Sequence, residues 1–180
     1  MNTDPDRCGQ AGALTVLTPI ADGAQDDLRA YLEGLRATGS PLARLPRTHF
    51  GRWVIVTDFV SDGERGPDHL ASPYLLFTAC FDGPLDSYLD ELCNELAPEA
   101  PAIWGRCAGA PQPPLGAALK AYLRAHQATT GFFVAAYPQA TVGQVRDALA
   151  QREDVIDFAR GAQALDPAQL QAAFHARLGG

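Results

Sequence analysis

Hydrophobic positions in the first 110 residues change between strand-like runs and helical stripes. Runs rich in β-branched and aromatic residues predict strands, and apolar residues at i, i+3, i+4 and i+7 predict helices. The polar segment 61–72, dense in Gly, Pro and Asp, predicts a flexible connection. The predicted elements are a strand at 13–20, a helix at 24–38, strands at 48–59 and 74–81, a helix at 85–96 and a strand at 103–108.

This order predicts the α+β class, with a ferredoxin-like βαββαβ unit whose four-stranded antiparallel sheet carries both helices on one face. Successive residues of a strand point to opposite faces. The other face of the strand at 48–59 therefore presents one of two alternating sets, either His49, Gly51, Trp53 and Ile55 or Phe50, Arg52, Val54 and Val56. Either set is too apolar to face water alone, so a second copy is the simplest cover and a homodimer is expected.

The stretch 109–114, which holds three prolines, is the best internal boundary of the chain. Beyond it the pattern predicts a helix at 115–127, a strand at 131–137 and helices at 142–159 and 167–178. One strand is too few for an independent sheet, so this half is expected to pack on the first unit or on a partner. The predicted organisation is a flexible N-terminus at 1–12, a ferredoxin-like unit at 13–110 and a C-terminal helix-strand-helix-helix extension at 111–180.

Composition and charge argue against several classes of function. Hydrophobic residues make up 47% of the 180 residues, which is enough for an ordinary core, and the formal charge is -7. Nucleic acids and anionic membranes both need a basic face, so neither is an expected partner. There is no apolar run of about 20 residues and no signal peptide's apolar stretch, which predicts a cytoplasmic protein. The four cysteines show no CxxC pair, which argues against structural zinc.

Three segments carry a family resemblance. They are Thr48-His49-Phe50-Gly51-Arg52-Trp53-Val54, Tyr74-Leu75-Leu76-Phe77 and Phe81-Asp82-Gly83-Pro84. In element order, residues 13–108 resemble the dimeric α+β-barrel superfamily, which includes dye-decolourising peroxidases, chlorite dismutases and antibiotic-biosynthesis monooxygenases. The segments from Ile103 to Pro111 and at Tyr137-Pro138 resemble uncharacterised bacterial members. The resemblance implies a dimeric barrel, and it implies either a haem cofactor or none.

Histidines are the first candidates for chemistry because they titrate near neutrality and ligate metals. His49 begins a predicted strand, where it is either a haem ligand or general base, or a strand-end residue satisfied by backbone. His126 lies near the end of a predicted helix. It is either the axial ligand of a haem iron or a cation favoured by the helix C-terminus.

Arg52 alternates with apolar neighbours and therefore needs a partner on an otherwise apolar face. The alternatives are a carboxylate, with Asp58 or Asp82 as candidates, and an anionic ligand group such as a haem propionate. Trp53 and Trp104 are candidate contacts for a cofactor ring, although aromatic residues at such positions also serve as core.

The leading hypothesis is a small-molecule oxidative enzyme, oxygenase- or peroxidase-like, that acts on an apolar substrate in a barrel pocket. In the haem version, His126 or His49 binds the iron and Arg52 is the polar partner. In the cofactor-free version, His49 is the acid/base group. A binding module for haem or an apolar ligand and a structural dimer partner are the alternatives. The sequence contains no GxSxG elbow, P-loop or GxGxxG fingerprint, which argues against serine hydrolases, NTPases and classical nicotinamide enzymes.

Overall fold

The computed structural model describes residues 4–58 and 70–178. The chain divides into two compact units, residues 1–142 and 143–180. The strands are β1 (Arg7–Cys8), β2 (Ala11–Pro19), β3 (Thr48–Val56) and β4 (Tyr74–Asp82). The helices are α1 (Gln25–Thr38), α2 (Leu85–Glu95), α3 (Ala100–Ile103), α4 (Gly116–Ala125), α5 (Val142–Ala162) and α6 (Pro167–Leu178). This confirms the predicted α+β class.

The first unit is built on an antiparallel four-stranded sheet with the order β1-β2-β4-β3. Both β2 and β3 pair antiparallel with β4, so they run parallel to each other on either side of it. The two-residue strand β1, inside the predicted N-terminal extension, pairs with the start of β2. Two isolated bridges join β2 and the residue after it to later segments, from Val16 to Gln127 and from Ile20 to Cys107. At the other side of the sheet, β3 is the edge strand.

The helices α1, α2 and α4 bury one face of the sheet, as the predicted stripes require. On β4, the alternate residues Leu75, Phe77, Ala79 and Phe81 are buried, and their neighbours Tyr74, Leu76, Thr78 and Cys80 are half-buried. The first set meets fully buried residues of the helices, among them Leu28, Leu92 and Leu123. We call the side that carries Thr78 and Cys80 the open face.

The strand predicted at 103–108 is wrong, because residues 100–106 form α3 and a 3₁₀ turn, Trp104–Arg106. Pro101 stands in the first turn of α3, where a missing N–H costs no hydrogen bond. The turn places Trp104, 1% exposed, against Phe77 with ring centroids 5.5 Å apart. Only Cys107, which bridges to Ile20, keeps a trace of strand pairing. The fourth strand of the expected βαββαβ order is thus replaced by helical turns.

The strand predicted at 131–137 is also wrong, because these residues form neither helix nor strand. Phe132, Val134 and Tyr137 are exposed there by 83%, 67% and 80%. The preceding helix α4 belongs to the first unit and packs against α2, where Lys120 binds Asp86 and Asp90.

In the second unit, the predicted proline-led helix is confirmed as α6. The Asp166 Oδ1 atom accepts hydrogen bonds from the N–H groups of Ala168 and Gln169, both at 2.9 Å, which satisfies donors at the helix start. Phe158 of α5 contacts Phe174 of α6 with ring centroids 6.1 Å apart. None of the described helices is both long enough and apolar enough to cross a membrane. Most of the connection predicted at 61–72 lies outside the described residues.

Candidate functional site

A β-bulge at the start of β3 determines where His49 points. The register between β3 and β4 shifts between Thr48 and Phe50, so His49 is the extra residue. Thr48 turns to the helix side, where its Oγ1 atom lies 3.0 Å from the hydroxyl oxygen of Tyr88. His49 instead reaches Asp82, which alternates with Thr78 and Cys80 on the open face of β4. The bulge therefore places His49 on the same side as Phe50.

His49 and Asp82 form a short hydrogen bond, with 2.7 Å between Nε2 and Oδ1. A carboxylate can only accept, so the Nε2–H of the imidazole is the donor. The Nδ1 atom has no hydrogen-bond partner within residues 4–58 and 70–178, and in this tautomer it carries the lone pair. The pair is thus an oriented imidazole with its basic nitrogen directed away from the carboxylate.

Asp82 is the buried member of the pair. The residue is 6% exposed, and its Oδ2 atom accepts a hydrogen bond from the backbone N–H of Val142 at 2.7 Å. The His49 side chain is 23% exposed. Both carboxylate oxygens of Asp82 therefore have donors, which a buried carboxylate requires, and the imidazole is the part that solvent or a ligand can reach.

Arg52 lies two residues further along the open face than Phe50. Its Nε–H donates to the Thr78 hydroxyl oxygen at 3.2 Å, and Thr78 stands opposite Thr15 on β2. Asp82, one of the expected carboxylate partners, binds His49 instead. Arg52 forms no ion pair within the described part of the chain, so its charge is available to an anion.

Apolar side chains flank this polar row on the open face. Phe50 is 77% exposed, and Val54 and Leu17 are 37% and 40% exposed. Cys80 lies beside Phe50 in the register, and burial raises the pKa of its thiol above the ordinary value. A raised pKa keeps Cys80 a thiol at neutral pH, so it is a poor nucleophile.

The two tryptophans lie on the helix side of the sheet, in the core. Trp53 stacks on Phe77 with ring centroids 5.4 Å apart, and Trp104 meets Trp53 edge-on at 6.3 Å. The indole Nε1 atoms of both are buried, and neither has a hydrogen-bond partner among the described residues. The packing accounts for these residues as an aromatic cluster.

His126 is at the C-terminal end of α4. Its Nδ1 atom lies 2.9 Å from the backbone oxygen of Tyr122, and its ring packs on the Tyr122 ring at 4.3 Å. Its backbone oxygen accepts a hydrogen bond from Leu17 of β2 at 3.0 Å. This is the helix-end position expected from the sequence, at the edge of β2 that does not face β4.

The residues predicted to hold haem do not come together around one site. Trp53 and Trp104 pack on the helix side, His49 and Arg52 lie on the open face, and His126 lies beside the edge of β2. A haem held by an axial histidine, a propionate partner and two stacked tryptophans would need all of them around one cavity. The predicted set therefore does not fit a single haem.

The sequence predicts Asp82 as a candidate carboxylate partner of Arg52, whereas in the structure it binds His49. Thr78, Cys80 and Asp82 alternate along one strand, and this alternation predicts that they share a face. Cys107 is buried, and burial raises the pKa of its thiol while a hydrogen bond with Thr18 opposes the rise. It is a packed residue of the core.

Comparison with protein-family models, curated proteins and solved structures finds no match for this chain. Within the described residues, no group of three or more His, Cys, Asp or Glu side chains is arranged to hold a metal ion.

Proposed function

We propose that this protein is a small-molecule enzyme in which His49 is the general base and acid, acting on an apolar substrate at the open face. The 2.7 Å bond to Asp82 is the observation that carries the proposal, because it fixes both the tautomer and the orientation of the imidazole. A buried carboxylate on one ring nitrogen is the arrangement by which enzymes orient a catalytic histidine and stabilise its protonated form. The half-exposed imidazole then removes a proton from a bound substrate.

Arg52 supplies the complementary charge. The hydrogen-bond partners of His49 and Arg52, Asp82 and Thr78, are four positions apart on β4, which is about 13 Å, so an elongated substrate of three fused rings lying along the open face extends from near His49 to near Arg52. Proton removal from an acidic O–H or C–H group leaves an anion, and a nearby guanidinium stabilises it. The reaction class we propose is oxidation of this electron-rich anion by dioxygen, with the substrate's own conjugation activating it. One oxygen atom becomes the new carbonyl of the product, and the other leaves as water with the two hydrogens of the oxidised carbon.

The proposal includes the finer fold and the quaternary state. The segment β2-α1-β3-β4, with β4 between two parallel strands, has the arrangement that begins a ferredoxin-like sheet. Exposed Phe50, Val54 and Leu17 on one face of that sheet support a homodimer in which two open faces cover each other. In such a dimer the pocket for the apolar substrate lies between the sheets.

Oxygen consumption with enolisable fused-ring substrates tests the function. Anthrone is a suitable probe, because it loses a proton to give an electron-rich anion and carries no charge itself. We expect His49→Gln to lower kcat by on the order of 10²-fold or more, while His175→Gln, a change at an exposed histidine on α6, leaves it unchanged. Equal rates for wild type and His49→Gln across a panel of such substrates would refute the catalytic role.

The same experiment separates the second candidate, a non-catalytic module for apolar ligands. The exposed apolar side chains of the open face favour that alternative as much as they favour an enzyme. A module binds anthrone with measurable heat and consumes no oxygen above the buffer rate. An enzyme binds anthrone and consumes oxygen in a His49-dependent manner.

A further inference from the structure

A cleft of about 550 Å³ runs between α1 and the edge strand β3, on the side of the sheet opposite the open face. Its walls are α1, the residues Gly39 to Leu42 that follow it, and the stretch from Gly51 to Ile55 on β3. The volume is in the range of small-molecule sites. A Cβ atom on Gly51 would lie 2.6 Å from Leu42, so the glycine permits the close approach that shapes this end of the cleft.

The charges of the cleft are unusual for this protein. Arg29 and Arg36 of α1 line it, and neither forms an ion pair within residues 4–58 and 70–178. Arg52 also borders the cleft on β3, but its guanidinium binds Thr78 on the open face, so its charge belongs to that face. Most of the other described cations are paired with carboxylates, namely Arg44, Arg47, Arg106, Lys120, Arg124, Arg152, Arg160 and Arg177. In a chain with a formal charge of -7, two of the few described cations without an ion pair thus line the same cleft.

One carboxylate, Glu33, also lines the cleft, on the same helix between Arg29 and Arg36. It forms no ion pair with either arginine. Two cations against one carboxylate leave the cleft positive, and a positive cleft with low-dielectric walls concentrates anions. Ser40 follows Arg36 by four residues and also lines the cleft, so its hydroxyl adds a neutral donor at that end.

The remaining lining is apolar. Leu32 and Leu35 of α1 face Trp53 and Ile55 of β3, with Leu42 at one end. A ligand that satisfied only the arginines would leave these side chains in contact with water, and a ligand that satisfied only the apolar residues would leave the charges unpaired. The combination therefore fits a molecule with a single anionic head and a hydrocarbon body.

We propose that this cleft binds an amphipathic monoanion of the alkyl carboxylate class. The head group binds Arg29 and Arg36 of α1, and the chain lies along Leu32, Leu35 and Trp53. The site is separate from the His49–Asp82 pair, which neither lines the cleft nor contacts its arginines. Its occupant is therefore a second ligand, independent of the substrate proposed for the open face.

Calorimetric titration with laurate, below its micelle concentration, tests the proposal on the full chain. We expect laurate to bind at least about tenfold more tightly than dodecanol, which has the same chain length and no charge, since hydrogen bonds to a charged head exceed 1.4 kcal/mol. The double variant Arg29→Glu/Arg36→Glu should lose about tenfold or more in laurate affinity and leave dodecanol affinity unchanged. Glu33→Gln should strengthen laurate binding, because it removes the only negative charge among the lining residues.

Two variants serve as controls. Arg146→Glu reverses the charge of another unpaired arginine, on α5, and should leave laurate affinity within about twofold. Phe50→Asp alters the open face and should also leave it within about twofold. Equal affinity for laurate and dodecanol, absence of laurate binding to the wild-type protein at 1 mM (about −4 kcal/mol), or a loss in Phe50→Asp without a loss in the arginine double variant would each overturn the proposal. Circular dichroism of each variant establishes that it is folded.

Discussion

Replacing Asp82 with alanine gives the sharpest test of the site's geometry. The substitution removes the acceptor of two hydrogen bonds of 2.7 Å, one from the imidazole of His49 and one from the backbone N–H of Val142. At 6% exposure, Asp82 is in a place that water does not readily fill. The N–H of Val142, which is buried with it, would then have no acceptor.

The expected loss in the free energy of unfolding depends on whether each hydrogen-bond partner of Asp82 can find another partner. A buried donor left unpaired costs about 1–3 kcal/mol, and a hydrogen bond to a charged group contributes about 1.5–3 kcal/mol. His49 recovers part of its loss because its side chain is 23% exposed and can bind water, and removing the carboxylate relieves its own desolvation cost. We therefore expect Asp82→Ala to lower the free energy of unfolding by about 2–3 kcal/mol.

Asparagine separates the charge from the geometry. Its carbonyl oxygen can still accept from Val142, and its amide can donate to Nε2 of His49, provided that the imidazole changes to the tautomer with the proton on Nδ1. Asp82→Asn should therefore cost only about 1 kcal/mol and yet abolish the basic lone pair on Nδ1. The control Asp22→Ala, at an exposed loop carboxylate, should change stability by less than about 0.5 kcal/mol.

Urea unfolding with an unchanged m-value gives the free energies, and ¹⁵N chemical shifts of the imidazole report the tautomer. Two results would refute the reasoning. One is a loss below about 1 kcal/mol in Asp82→Ala, which would mean that these hydrogen bonds contribute little. The other is an Nδ1–H tautomer in the wild-type protein, which would place the lone pair on the nitrogen that faces Asp82.

Three further predictions address the open face and the core. Arg52→Met should change stability by less than about 0.5 kcal/mol, since within the described part of the chain this exposed residue makes one hydrogen bond, to Thr78. A loss of about 2 kcal/mol or more would show a structural role instead. Phe50→Asp should convert a dimer to a monomer in sedimentation, while Phe132→Asp, at an equally exposed phenylalanine, should not; dissociation by both or neither contradicts sheet-to-sheet assembly. Burial raises the pKa of Tyr88 to about 12, so its contribution to stability is complete below pH 10 and is lost as the pH rises towards 12. Relative to wild type, Tyr88→Phe should gain about 2–3 kcal/mol between those pH values, measured by urea unfolding at each pH; a constant difference would exclude ionisation of Tyr88 as the cause.

Hydrophobic periodicity predicts the secondary structure correctly where burial of one side of an element decides its structure. The stripe from Leu28 to Leu35 and the stripe from Tyr88 to Leu92 predict α1 and α2, because the helices bury those faces against the sheet. The apolar run of β4 was predicted for the same reason. These elements follow from local pattern because no distant contact competes with it.

The hydrophobic pattern predicts the wrong element where contacts with residues distant in the sequence decide the structure. Residues 103–108 have strand-like side chains, but Trp104 gains more by packing into the aromatic cluster with Phe77 than by joining a ladder. Residues 131–137 have high strand propensity, and strand propensity is expressed only beside a sheet edge with free hydrogen-bonding groups. No local signal identifies such an edge.

The sequence does not predict the His49–Asp82 pair, for a different reason. Strict alternation groups His49 with Gly51, Trp53 and Ile55, which belong to the helix side, and that grouping is wrong because of the bulge. One extra residue reverses the direction of every side chain before it relative to those after it. A bulge of this kind has no signature in a sequence of nine strand residues, so the partner of His49 had to come from the structure.

The features that folding alone does not require are concentrated on β3. Its helix-side residues Trp53 and Ile55 pack against the core, which accounts for them. Its other residues include a bulged histidine on a buried carboxylate, an arginine that forms no ion pair with any described residue and a phenylalanine that is 77% exposed. An edge strand is where such residues are most hazardous, because an exposed apolar edge invites aggregation, and selection for stability alone would replace Phe50 with a charged residue. Their presence together on an edge strand therefore supports the roles in binding and catalysis that we propose for them.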